Sequence, residues 1–333
     1  MLEQIMPGRL HHISDDAYYA AKGRHILSSR DEGKSWHRLA SVPVGITTRL
    51  KAASRLASRL FRAEIHHILP VGDALVVFAF GRIWVFDLNK CAWEADPEAI
   101  HGGRPLAVCS TGDALYYGEY KSNECRGPIR IYRSIDRGRT WDVAHQRNDI
   151  RHVHGVFLDP FTKTIWFTTG DEDHECGIWR TQDDFASVTR VLGGSQQFRA
   201  VDLVFTEDHV YFGTDTPLEQ NYIYRFTRTG DTVEQIAPVA SSVFYGARVG
   251  KRIFFGTVCE PSQVNETRVA TIVGSDETGA QWREIQRSSK DAWPMKYFQY
   301  GQFRFPRGTN HSSYLWFSSL AVKRDQMLFR LPI

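Results

Sequence analysis

The chain lacks any C-x-x-C pair, and its five cysteines, Cys91, Cys109, Cys125, Cys176 and Cys259, are odd in number, which excludes a disulfide framework and a zinc knuckle. A reducing compartment follows as the expectation. No apolar run approaches 18 residues, so no membrane-spanning helix is encoded. The first residues, MLEQIMPGRLHHISDD, contain no basic stretch followed by an apolar core, so as the sequence stands a cytoplasmic location is expected, with secretion open only if a leader had been removed. Net charge is small, +3 from 41 Lys and Arg against 38 Asp and Glu, and no Lys/Arg run would track phosphates. Nucleic acid is thereby excluded as an expected partner. What remains is 42% hydrophobic and 13% aromatic, enough to fill a core over 333 residues.

Self-similarity then organises the sequence. Ser29-Arg-Asp31-Glu-Gly33-Lys-Ser35-Trp36 and Ser134-Ile-Asp136-Arg-Gly138-Arg-Thr140-Trp141 share the pattern S-x-D-x-G-x-[ST]-W, and Ser275-Asp-Glu277-Thr-Gly279-Ala-Gln281-Trp282 repeats it with Glu277 and Gln281 as departures. An Asp in a tight turn accepts backbone N–H bonds, a Gly two residues on supplies positive φ, and the Trp packs on a neighbouring sheet. Weaker copies lie at residues 87–93, 181–188 and 227–233. Their last apolar positions, 36, 93, 141, 188, 233 and 282, recur about every 47 residues. The octapeptide resembles the Asp-box, or bacterial neuraminidase, repeat of β-propellers, and that resemblance implies propeller blades of four strands each, with the boxes in the turns between third and fourth strands.

The reading is one all-β domain over residues 1–333, a seven-bladed β-propeller with blades near 8–42, 66–98, 104–147, 151–194, 198–238, 242–288 and 293–333. The last shows three strands. Its fourth is expected from residues 2–7, because Leu2-Glu-Gln-Ile-Met-Pro7 echoes Val233-Glu-Gln-Ile-Ala-Pro238, which takes the outer position of its own blade. Such pairing of chain ends would hide open sheet edges. One short helical insertion is expected within 44–64, where Leu50, Ala53, Leu56, Leu60 and Phe61 share one face and basic residues the rest, docked on its own propeller.

If the boxes occupy one face, the opposite face is where chemistry is expected. Long polar loops at 118–126, 170–176, 213–221 and 256–262 would wall a cleft there, against the helical insertion on the other side. Innermost strands begin on the same face with His11-His12, His66-His67, His152-Val-His154, Phe198-Arg199, Phe244-Tyr245 and Lys296-Tyr297. Three chemistries are open. β-Elimination from a uronate sugar needs a charge to neutralise the carboxylate, a base and an acid. His154 or His66 would be the base, Tyr245 the acid and Arg199 the group facing the carboxylate. His152 and His154, alternate residues on one strand face, would offer two ligands to a divalent metal. The resemblance extends in architecture to seven-bladed lyases of ulvan and oligogalacturonate.

Hydrolysis instead needs paired carboxylates, for which Asp171 and Glu119 are candidates. The Arg-Ile-Pro that sialidases of the same resemblance carry near the N-terminus is missing, and Arg304-Phe-Pro306 lies at the other end. Tyr120, Lys121, Asp173, Asp215, Glu260 and Tyr297 complete the expected substrate surface. The third reading is a non-catalytic scaffold or glycan-binding disc. The expected partner in the leading reading is an acidic, uronate-containing oligosaccharide or polysaccharide.

Overall fold

Short runs of alternating apolar residues, each ended by a Gly- or Asp-bearing turn, set the secondary structure. In the computed structural model, which describes residues 1–333, His152–Leu158, Ile165–Gly170, Gly177–Thr181 and Thr189–Gly193 form one antiparallel sheet in chain order. The same consecutive order joins Val108–Ser110 through Asp142–Arg147, and Ala200–Phe205 through Val233–Val239. Arg9–Ile13 through His37–Ser41 make a further sheet, as do Ile65–Val71 through Ala92–Trp93. The sixth sheet has eight strands. In it Val243–Val249 through Arg283–Ser289 are joined to Gly301–Arg304, Tyr314–Leu320 and Met327–Pro332 by the pairs Val258↔Gln302 and Cys259↔Gly301.

First strands of successive sheets pack beside one another, from Arg9–Ile13 to Ile65–Val71, Val108–Ser110, His152–Leu158, Ala200–Phe205 and Val243–Val249. The series returns to its start because Arg9–Ile13 lies beside Tyr314–Leu320 and pairs in parallel with Arg307–Gly308. The chain ends also pair. Glu3–Pro7 runs antiparallel to Met327–Pro332, with Glu3 ion-paired to Arg330 at 2.7 Å. This arrangement of small sheets about a centre is propeller-like, and no helix is long and apolar enough to cross a membrane.

The octapeptide turns fix sheet against sheet. Asp31 accepts from Ser35 N at 2.9 Å and Ser35 Oγ at 2.6 Å, Ser29 Oγ accepts from Gly33 N, and Trp36 Nε1 donates to Gly33 O. Asp136 repeats these bonds with Thr140, and Trp141 packs on Phe78 of the preceding sheet and on Tyr117 of its own. Gly138 has φ of 85°, and a Cβ there would lie 2.7 Å from Val76, so both backbone conformation and close approach require glycine. In the third copy Glu277 does not take the clamp role. Asp276 accepts from Thr278 instead, and the Glu277 carboxylate pairs with Arg248 and Lys251. Because Asp136 satisfies several turn donors, Asp136→Ala is expected to cost ~1–2 kcal/mol in thermal or urea unfolding, with function per folded molecule unchanged.

The insertion differs from expectation in two ways. It is two helices, α1 (Ile46–Lys51) and α2 (Arg55–Phe61), because Ser54 caps a fresh start by accepting from Ala57 N. The docking face is also inverted. Leu50, Leu56, Leu60 and Phe61 remain exposed, whereas Arg59 is buried, bonded to Asp291, to Asp325 at 3.3 Å and to Phe298 O at 2.5 Å. The planar fork of one guanidinium finds two carboxylates and a carbonyl from the distant end of the chain, and that match decides which side faces in.

Candidate functional site

First strands, or the residues just before them, open onto the central cavity, of about 770 Å³. Arg9 opens Arg9–Ile13, His66 and His67 open Ile65–Val71, His152 opens its strand, and Arg199 directly precedes Ala200–Phe205. Tyr245, Gln302 and Arg304 reach it from the far side, and Arg62, residues 103–106, Met295, Lys296, Gln299 and Tyr300 cover it. Eight cationic side chains line the cavity: Arg9, Arg62, Arg104, Lys121, Arg151, Arg199, Lys296 and Arg304. Asp171 is the one acid among its lining residues.

Crowded cations in a desolvated space perturb one another. Burial, with Arg304 beside it, pulls Arg9 down to about 9. Burial also lowers Arg104, with Arg62 and Arg304 adding to the effect. His66 is held well below its ordinary range of 6.5 by burial and then by Arg104, Arg304, Arg9 and Arg62, so its imidazole is neutral at pH 7. Its Nδ1 lies 3.7 Å from Glu64.

At the floor, His152 Nε2, His154 Nε2 and an Asp171 oxygen lie within 4.8 Å of one another. His154 Nδ1 faces Ala200 O at 2.8 Å and His152 Nδ1 faces Lys121 O at 3.3 Å. A carbonyl can only accept, so each Nδ1 carries the ring proton and each Nε2 presents a lone pair. Those two lone pairs face each other at 3.1 Å, with Asp171 Oδ1 at 3.5 and 3.7 Å. Arg199 Nη2 at 3.0 Å and Arg151 Nη1 at 2.9 Å already bring positive charge to Asp171, and the two imidazole lone pairs beside its carboxylate make a donor set that fits a divalent transition metal. The carbonyls supply the outer hydrogen bonds that orient such ligands. Burial opposes ionisation of Asp171, but neighbouring positive charge, with Arg199 Nη2 3.0 Å away, outweighs it and holds the carboxyl well below the usual carboxylate range.

The expected site residues divide accordingly. His66, Tyr120, Lys121, His152, Asp171, Arg199 and Tyr245 line the cavity. His154 lies buried beneath it, with Nδ1 held by Ala200 O, and is not among the residues lining the cavity, so a ligand there would meet His66 rather than His154. Glu119 is buried and saturated by Lys121, Arg130 N and Tyr132, so it does not reach the cavity, and neither does its loop partner Lys121 offer an unpaired ammonium. Asp173 is exposed and bonded to Gln196. Asp215 and Glu260 sit behind Arg199 rather than in the cavity, with Arg199 Nε at 3.5 Å from Asp215 and Ser242 Oγ donating to Glu260. Burial and the neighbouring Glu260 and Asp171 charges push Asp215 up despite Arg199. Tyr297 is exposed outside the lining, beside Lys296. The loops at 213–221 and 256–262 contribute nothing to the lining, so the expected wall is formed instead by residues 103–106, Met295, Lys296, Gln299 and Tyr300.

Sequence reasoning missed Arg9, Arg62, Arg104 and Arg151, and it considered Arg304 only as a displaced motif. Arg9 precedes His11-His12 on a strand already marked as innermost, and that position was its available signal.

No family model matches the chain, and no curated protein matches it by sequence. Solved structures do. A structure of an oligogalacturonate lyase in complex with manganese superposes with TM-score 0.63 at 9% identity, over 100% of this chain and 93% of that one. A chain of the mitotic checkpoint complex gives 0.60 at 11%, over 100% and 93%. A prolyl endopeptidase gives 0.59 at 12%, over 95% of this chain and 47% of that one. These likenesses establish the propeller-like fold, and the differing roles of the neighbours leave function to the site itself.

Proposed function

We propose that this protein is a seven-bladed propeller of Asp-box type that binds an acidic, uronate-containing glycan in its central cavity and cleaves it by β-elimination. The observation carrying this reading is the lining itself, eight cations against one carboxylate. Paired hydrolytic carboxylates are not offered to a ligand there, because Glu119, Asp215 and Glu260 are turned to other partners. A polyanion is what such a surface attracts, and guanidinium forks bind carboxylates in a bidentate way.

In this reading Arg9, Arg104 and Arg304 hold sugar carboxylates. A divalent metal held by His152, His154 and Asp171 would supply Lewis-acid stabilisation of the charge that develops when the α-proton leaves. His66, neutral because it is buried among arginines, takes the proton from the carbon α to the carboxylate. The electron pair forms the C=C bond, the β C–O bond breaks, and the leaving oxygen takes a proton from the Tyr245 hydroxyl.

Incubation with a panel of uronate-containing glycans, with and without chelator, tests this. Elimination gives a near-ultraviolet absorbance from the unsaturated uronate, and the chelator should reduce its rate at least about tenfold. New reducing ends without that absorbance would mean hydrolysis. Neither signal, with glycan binding retained, would leave a binding disc.

A further inference from the structure

The helical insertion leaves outside the residues that would ordinarily hold it to the core. Ile46 is 68% exposed, Leu50 66% and Phe61 54%, with Leu56 and Leu60 also open to solvent. Helices of 6 and 7 residues are unstable alone. Here Arg59, with its side chain 2% exposed, pins them to the sheets from the polar side. Five large apolar side chains left exposed on one short insertion mark an interaction site.

Charge identifies the occupant. From Val44 to Ala63 the sequence contains no acid, and Arg49, Lys51, Arg55 and Arg62 are all exposed. The nearest acids are already engaged, Asp291 and Asp325 with Arg59, and Glu64, which directly follows that stretch, with Arg304 at 3.6 Å. The segment that receives Arg59 adds exposed Trp293 and Tyr297, with Trp293 packed on Phe298 and exposed Lys296 next to Tyr297. Aliphatic side chains, an interfacial Trp and Tyr, and a rim of Lys and Arg are the inventory of a surface lying in the headgroup layer of an anionic bilayer. A second copy would bring the same cations face to face.

We propose that α1, α2 and the 293–297 segment form a membrane-docking surface selective for anionic lipid. This binding is separable from the catalytic reading: Arg62 and Lys296 also border the cavity, but Leu50, Lys51, Arg55, Leu60 and Phe61, on which the surface is tested, lie outside its lining. The test is co-sedimentation of the full chain with vesicles of phosphatidylcholine alone or mixed with phosphatidylserine, at low and raised salt. At least tenfold stronger binding to the anionic vesicles, weakened by salt, is expected. The combined substitution Leu50→Ser, Leu60→Ser and Phe61→Ser should abolish it, as should Lys51→Glu with Arg55→Glu. All five side chains are exposed, so an unchanged melting temperature will show that the variants are folded. Arg304→Ala, which alters the cavity, should sediment as the parent does. Equal binding to neutral vesicles, binding unchanged in both surface variants, or loss of binding in Arg304→Ala would overturn the proposal. So would absence of vesicle binding alongside a dimer that the serine variant dissociates, which would make the face a contact between copies.

Discussion

Under the proposed elimination, His66→Gln is expected to lower the rate at least about 10²-fold while leaving affinity for the glycan within a few-fold. The base must be neutral to accept a proton, and His66 owes its neutrality to burial and to four arginines, Arg104, Arg304, Arg9 and Arg62. The sign of the pH dependence follows. Because the imidazole is held below 6.5, the acid limb of kcat/KM should lie below pH 6.5 rather than at it. Removing one positive neighbour makes protonation easier, so Arg104→Ala should move that limb to higher pH, an effect separable from any loss of affinity by measuring KM. An acid limb that stays fixed in Arg104→Ala, or His66→Gln with parental turnover, would exclude His66 as the base.

Deleting residues 1–8 should lower the melting temperature by roughly 7 °C. Glu3–Pro7 supplies the ladder along Met327–Pro332, the Glu3–Arg330 ion pair, and packing by Ile5 and Met6 near Trp316. A few net hydrogen bonds and partly buried aliphatic side chains come to about 5 kcal/mol. Spread over the unfolding entropy of a chain this long, that gives the expected shift. The deletion also bares Met327–Pro332 as a sheet edge, so the truncated protein should aggregate on heating where the full chain does not. Equal melting of the two chains would show that pairing of the ends contributes little.

Legibility in the sequence follows the range of the forces involved. The octapeptide turns are local: Asp136, Gly138 and Trp141 satisfy one another within a few residues, so their roles were readable without a fold. The His-bearing strand starts were readable for the same reason, since alternation and turn spacing place them. Glu119 was misassigned because its burial depends on the loop at Gly102, where a Cβ would lie 2.4 Å from the Glu119 side chain, and nothing near residue 119 announces that lid. Arg62 and Arg104 belong to a helix end and a connection whose positions over the cavity are set by distant sheets. In the insertion, the apolar period was visible but its orientation was not, because Asp291 and Asp325 lie more than 200 residues away in sequence.

The joined ends of the chain carry a consequence for ligand-linked stability. Arg9 follows the strand that latches the ring, Arg304 belongs to the last set of strands, and both face the same cavity, where burial and the Arg304 charge pull Arg9 down. The apo protein therefore closes its seam against its own charge. A polyanion bridging the two arginines would relieve that repulsion and act as a clasp across the seam, coupling occupancy to the integrity of the ring. Its benefit grows with concentration as RT ln(1 + [L]/Kd), and it would be felt most by molecules whose seam has begun to open. Protease sensitivity at the two termini would then report on occupancy of the cavity without any turnover.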